Sequence, residues 1–138
     1  MIEYDLIDYL ESDSTLMTLL GVSGDDKKIY PNKPPTEPTL PYILYFWGSG
    51  DETDELLDED RIQLTIRAAT KSAVETIRDR VKLLLDKQDE IQTTTFTTGS
   101  TAYHIYYCKY TGGDSLWEPV TEVWNSILFF NVKFKKKD

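Results

Sequence analysis

The 138-residue chain has one cysteine, one histidine and a shortage of positive charge: 15 Lys and Arg stand against 24 Asp and Glu, for a net charge of −9. Cys108 alone cannot form an internal disulfide, so the fold owes nothing to an oxidising compartment. Cys108 and His104 are too few ligands for a zinc site. The acidic balance argues against a general nucleic-acid binder, whose footprint is a basic face. The longest apolar run, Tyr42 to Trp47, is six residues long, whereas a bilayer span needs roughly 20. The opening Met1-Ile2-Glu3-Tyr4-Asp5 is acidic, unlike the basic start of a secretory leader, and the expectation is a soluble intracellular product.

Catalytic signatures are equally scarce. Gly48-Ser49-Gly50 is followed by neither a helix nor the lysine that a phosphate cradle requires. The acidic run Asp51–Asp60 fails the EF-hand pattern, because Thr53 and Glu55 stand where Asp or Asn is needed and Leu56 replaces the glycine. His104 and Cys108 are four residues apart on an expected strand, which allows them one face, but no flanking signature marks a nucleophile. No enzyme, metal or cofactor is expected.

What is present is a core. Aromatic residues make up 12% of the chain, with nine Tyr and three Trp, and one domain over 1–138 should bury roughly two-thirds of its surface without metal or disulfide support. Ile62, Leu64, Ile66 and Ala68 alternate with Arg61, Gln63, Thr65 and Arg67, a strand with one dry and one wet face. Thr70, Lys71 and Ser72 break that alternation. Val74, Ile77, Val81, Leu84 and Leu85 then follow at helical spacing. A strand thus feeds a helix that packs back on its sheet.

Around this unit the remaining elements take their places. Residues 2–21 read as a helix in two pieces, the second capped by Asp13 or Ser14 and ended by Gly21. Ile29-Tyr30 is a brief extended segment. Pro31 to Pro41 holds five of the six prolines and runs extended over the surface. Tyr42–Trp47 is a strand broken by Gly48, and residues 49–60 form a mobile acidic hairpin loop. Ile91–Thr98 is expected as a strand, Gly99-Ser100 as a hairpin turn and Ala102–Tyr110 as its partner. A turn at Thr111–Asp114, an irregular Leu116–Pro119, a long strand Glu122–Phe134 and a basic tail 135–138 complete the chain. The fold class is α+β: a mostly antiparallel sheet of about five strands, with a long helix and an N-terminal helical segment packed on one face.

The strands carry more apolar surface than one helical layer shelters. Tyr42–Trp47 is apolar on both faces, and the last strand sets Leu128, Phe130, Val132 and Phe134 against Val123, Ile127 and Phe129. Either the sheet curls into a sandwich or another copy covers its reverse side. Seven acids between Asp51 and Asp60 and the lysines Lys133, Lys135, Lys136 and Lys137 suit head-to-tail contact between copies, or else are two solvated stretches.

Several stretches together resemble the tail-terminator (tail-completion, or head–tail joining) proteins of long-tailed phages. They are Leu40-Pro41-Tyr42-Ile43-Leu44-Tyr45 leading to Gly48, the acidic loop leading into Gln63-Leu64-Thr65-Ile66-Arg67, the helix Ala73–Asp86, and Leu116-Trp117 ahead of the aromatic strand Trp124–Phe134. The resemblance covers residues 29–134 in element order. It implies a virion protein, assembled in the host cytoplasm, forming a hexameric ring on the tail tube. That ring stops tube growth and meets the head connector, while DNA passes through its centre without specific binding.

Its partners would be copies of itself, the tail-tube protein and the head–tail connector protein, with no membrane. By position, the resemblance assigns Asp54, Glu55, Leu56, Leu57 and Asp58 to inter-subunit or tube contact. Trp117 and Trp124 are further interface candidates, and Asp51, Glu52 and Glu59 are candidates for a lumen wall that repels DNA. The alternatives are another phage neck or head-completion protein and a small acidic protein-binding module.

Overall fold

The computed structural model describes residues 2–31, 38–52, 58–86 and 103–136. In chain order these form α1 (Ile2–Glu11), α2 (Ser14–Leu20), β1 (Ile29–Pro31), β2 (Tyr42–Glu52), β3 (Asp58–Ala68), α3 (Lys71–Leu85), β4 (Tyr103–Glu118) and β5 (Val123–Lys136). The strands make one sheet in the order β1-β2-β3-β5-β4. β1 runs parallel to β2 and every other pairing is antiparallel. The α+β class follows directly, and no second sheet closes a sandwich among the described residues.

Local chemistry sets the helix boundaries. The Asp13 side chain accepts a hydrogen bond from Leu16 N at 2.8 Å and starts α2; Gly21, at φ 69°, ends it in the left-handed conformation that glycine adopts without strain. The Thr70 hydroxyl accepts from Ala73 N at 3.1 Å and starts α3. The five α3 residues at helical spacing, Val74, Ile77, Val81, Leu84 and Leu85, are all buried. They meet Ile62, Leu64, Ile66, Leu128, Phe130 and Val132 from the sheet, and Leu6, Leu10, Leu16 and Leu20 from α1 and α2, in one core. All three helices contribute to this core on the same face of the sheet.

Several strands are longer than the sequence suggests. β2 does not stop at Gly48: it stays in register with β3 through Gly48↔Arg61 and Ser49↔Asp60, then shifts to Glu52↔Asp58. Ladder bonds are backbone bonds, so a glycine pair weakens a strand without ending it. Within the expected loop 49–60, residues 49–52 and 58–60 therefore belong to strands, and residues 53–57 lie outside the described residues. β4 likewise runs through the expected turn at Thr111–Asp114 and the expected irregular piece at Leu116, absorbing the irregularity as a register shift between Tyr110 and Gly112. Gly112 sits at φ 131° there. The chain reverses instead at Pro119–Glu122, where Glu122 takes φ 55°. The expected strand Ile91–Thr98 and turn Gly99-Ser100 lie outside the described residues, and β1 is the fifth strand of the sheet seen.

Register also corrects the charge picture. β5 is the neighbour of β3, with Asp58 opposite Phe134 and Glu59 opposite Lys133. The acidic and lysine-rich stretches thus share one end of one sheet, the arrangement that cross-strand attraction favours. They are not opposite poles, as head-to-tail contact between them would need.

Candidate assembly surface

The face of the sheet away from the helices is built from alternate residues of four strands. Strand register aligns them in rows: Tyr42, Arg67, Asn125 and Leu116; then Leu44, Thr65, Ile127 and Asp114; then Phe46, Gln63, Phe129 and Gly112; then Gly48, Arg61, Asn131 and Lys109. No described helix packs on it. Phe46 remains 48% exposed and Leu116 55%, values that mark this as open surface and not a second core.

Arg67 fixes the first row. Its Nη1 donates to the Tyr42 hydroxyl at 2.7 Å, its Nε to Asn125 Oδ1 at 3.0 Å, and its Nη2 to Glu118 Oε2 at 3.2 Å. Asn125 Nδ2 also donates to that Glu118 oxygen at 3.0 Å. One guanidinium therefore ties β2, β3, β5 and β4 together across the full width of the long strands. Hydrogen bonding from Asn125, and then the charge of Arg67, holds the Glu118 carboxyl below its ordinary range.

The middle rows are different. Leu44 and Phe46 on β2 and Ile127 and Phe129 on β5 form two apolar strips, separated by Thr65 and Gln63, whose side chains bond to each other at 3.4 Å. The fourth row carries two exposed cations, Arg61 and Lys109, either side of Asn131, and Glu59 and Lys133 stand in register in the row beyond it. Neither Arg61 nor Lys109 makes an ion pair among the described residues. Apolar strips bounded by polar and charged rows are the usual anatomy of a protein–protein contact.

The sequence-derived candidates are scattered. Trp117 and Trp124 are cross-strand partners with ring centroids 5.3 Å apart, on the helix side of the sheet at its Pro119 end. Trp124 packs against the core under the Lys71 ammonium, whereas Trp117 is 45% exposed. Asp51, Glu52, Asp58 and Glu59 occupy the ends of β2 and β3, at the opposite end of the sheet. Asp54, Glu55, Leu56 and Leu57 lie outside the described residues. Phe46, Leu116, Arg61, Lys109 and Arg67 are the residues that sequence reading passed over. The alternating polarity of 61–67 and the two apolar faces of Tyr42–Trp47 were the available signals; only register shows that they adjoin.

Cys108 is fully buried, and burial pushes its thiol far up. The ladder, which shifts register between Ile105 and Tyr107, sets His104 opposite Lys135 and Cys108 opposite Val132. Among the described residues, no group of three or more His, Cys, Asp or Glu could hold a metal ion, and no helix is long and apolar enough to cross a membrane. A cleft of about 290 Å³ lies between α3 and the β4–β5 pair, lined by Lys71, Glu75, Arg78, Tyr110, Asp114 and Trp124. Its two cations and two carboxylates balance.

No family model and no curated protein matches the chain in sequence. Among solved structures, a chain of the "Virion of native gene transfer agent (GTA) particle" superposes with a TM-score of 0.68 at 11% identity, over 94% of this chain and 91% of that one. At that identity the likeness shows a shared fold.

Proposed function

We propose that this chain is a structural protein of a phage-like virion, and within that class a tail-completion protein that forms a ring at the head-proximal end of a tail tube. The observation that carries the reading is the fold likeness to the gene transfer agent virion chain, which extends over nearly the whole of both chains. The uncovered sheet face supports it independently. Leu44, Phe46, Ile127, Phe129 and Leu116 give each copy an apolar surface that its own described helices leave open. No catalytic step belongs to this function.

The ring would end tube growth and present a surface to the head connector, leaving a central passage for DNA. Electron microscopy of the purified protein, alone and mixed with tail tubes, tests this. Rings capping one end of the tubes are the expected result. Tubes that bind no copy of the protein at either end would overturn it. Neutralising Asp54, Glu55 and Asp58 together should reduce the fraction of capped tubes.

A further inference from the structure

The helical layer and the open sheet face are opposite sides of the molecule, and each leaves a large apolar side chain in water. α3 turns Val74, Ile77, Val81, Leu84 and Leu85 onto the sheet. Ser72, Thr76, Asp79 and Leu83, at spacings of four, three and four, form its opposite stripe and are all exposed. Leu83 is 61% exposed, and the Asp79 side chain one turn before it 71%. On the far side of the sheet, Phe46 and Phe129 flank Gln63 in one row, and Arg61 and Lys109 flank Asn131 in the next.

We propose that the outer stripe of α3 in one copy docks on the sheet face of a second copy, with Leu83 against Phe46 and Phe129 and Asp79 against Arg61 and Lys109. The inference rests on the ring reading and names the contact by which neighbours meet. Spacing fits the match. Leu83 and Asp79 stand about 6 Å apart along a helix that rises about 1.5 Å per residue, and neighbouring rows of the sheet face stand about 6.6 Å apart along a strand. Ser72 and Thr76 are small, so the helix can lie close to the strands. Charge fits as well. The helical layer is rich in acid, with four carboxylates and no lysine or arginine in α1, whereas Arg61 and Lys109 make no ion pair among the described residues. The 3.4 Å tie from Arg78 to Asp79 is a surface pair, worth little, and Asp79 can exchange it for a new partner.

Because α3 and the open face lie on opposite sides of one sheet, no copy can make this contact with itself. The contact is heterologous, with different patches on the two partners, so repeating it generates a ring or a filament and not a closed pair. A second sheet face and duplex DNA are the rival occupants. Two sheet faces would leave Leu83 in water on both copies, and the chain's net charge of −9 opposes DNA.

Directed cross-linking tests the contact in the full-length protein, whose own Cys108 is buried and offers no accessible thiol. A Leu83→Cys copy is mixed with a Gln63→Cys copy under mild oxidation. The control mixture pairs Leu83→Cys with Lys27→Cys, an exposed site beside Glu11 on the helical side. The expected result is a mixed disulfide several-fold above the control. Arg61→Glu with Lys109→Glu on the Gln63→Cys copy should reduce it to the control level, and Asp79→Lys added to the Leu83→Cys copy should restore it. A yield equal to the control, one that the charge reversal does not lower, or one that the swap does not restore overturns the contact, and rings still seen on tubes would leave the ring reading standing. The expected cross-link from a protein that caps no tube keeps the contact and overturns the ring reading. Gln63→Cys copies that cross-link to one another as readily overturn the contact in favour of face-to-face packing. Retention of duplex DNA that is lost in Arg61→Glu overturns it in favour of a polyanion surface.

Discussion

Arg80 and Asp13, 67 residues apart in sequence, form a two-pronged ion pair: Arg80 Nη2 to Asp13 Oδ1 at 2.6 Å and Nε to Oδ2 at 2.9 Å. The pair joins α3 to the start of α2, and the same Asp13 carboxylate caps α2 through Leu16 N. One side chain thus serves a helix end and a helix–helix tie, with only 15% of its surface exposed. Hydrogen bonding from Arg80, then from Leu16 N, holds its carboxyl below the ordinary value near 3.8. Replacing Asp13 by Ala removes a cap and leaves Arg80 without its partner, and should cost about 2–3 kcal/mol in urea denaturation at pH 7. The pH dependence has a definite sign. The folded-state pKa is depressed, so this stabilisation is fully present above the unfolded value and is lost as pH falls through the folded one. The difference in urea midpoint between wild type and Asp13→Asn should therefore shrink as pH is taken below 3.8.

Two glycines that read alike in sequence should respond differently to alanine. A Cβ at Gly113 would stand 1.8 Å from the Ile127 carbonyl oxygen, whereas one at Gly48 meets nothing nearer than 3.9 Å. Gly113→Ala must push β4 from β5 and should lower stability by about 1–3 kcal/mol, read as a fall in Tm. Gly48→Ala, at a site without positive φ, should shift stability by less than about 1 kcal/mol in either direction.

Apolar residues on the two sides of the sheet should separate folding from association. Leu64 is fully buried, and Leu64→Ala should cost about 2–5 kcal/mol. Phe46→Ser removes a ring that is 48% exposed; it should leave the single copy's stability within about 1 kcal/mol of wild type while reducing association in sedimentation velocity. Equal association by the two proteins would exclude Phe46 from any contact.

Cys108 should behave as a packing residue. Its thiol is fully buried beside Val132 in the β4–β5 ladder, and burial followed by the nearby Asp86 carboxyl disfavours the thiolate. A disulfide reagent at pH 8 should label it only at the rate of unfolding, and rapidly in denaturant. Fast labelling of the native protein would contradict that burial.

The sequence is most legible where one periodicity holds for several residues. The Ile62–Ala68 alternation and the Val74–Leu85 helical stripe needed no partner to be read; the α2 cap was narrowed to Asp13 or Ser14, because hydroxyl and carboxylate oxygens answer free amides locally, and the structure uses Asp13. The length of β4 was hidden, since Gly112-Gly113 looks like a turn unless β5 is known to lie continuously beside it. The role of Arg67 was hidden for a related reason. On β3 alone it is one polar residue among four, and its partners Tyr42, Glu118 and Asn125 are supplied by three other strands. The nearness of Glu59 to Lys133 depends on β5 slotting between β3 and β4, a choice made by the whole sheet and by no local stretch.

Thr65 and Gln63 form a polar seam between the strips of Leu44 and Phe46 and of Ile127 and Phe129. The seam divides the oily surface into two narrow bands, which disfavours indiscriminate clumping. A surface so divided favours a neighbour that supplies both grease and hydrogen bonds at once.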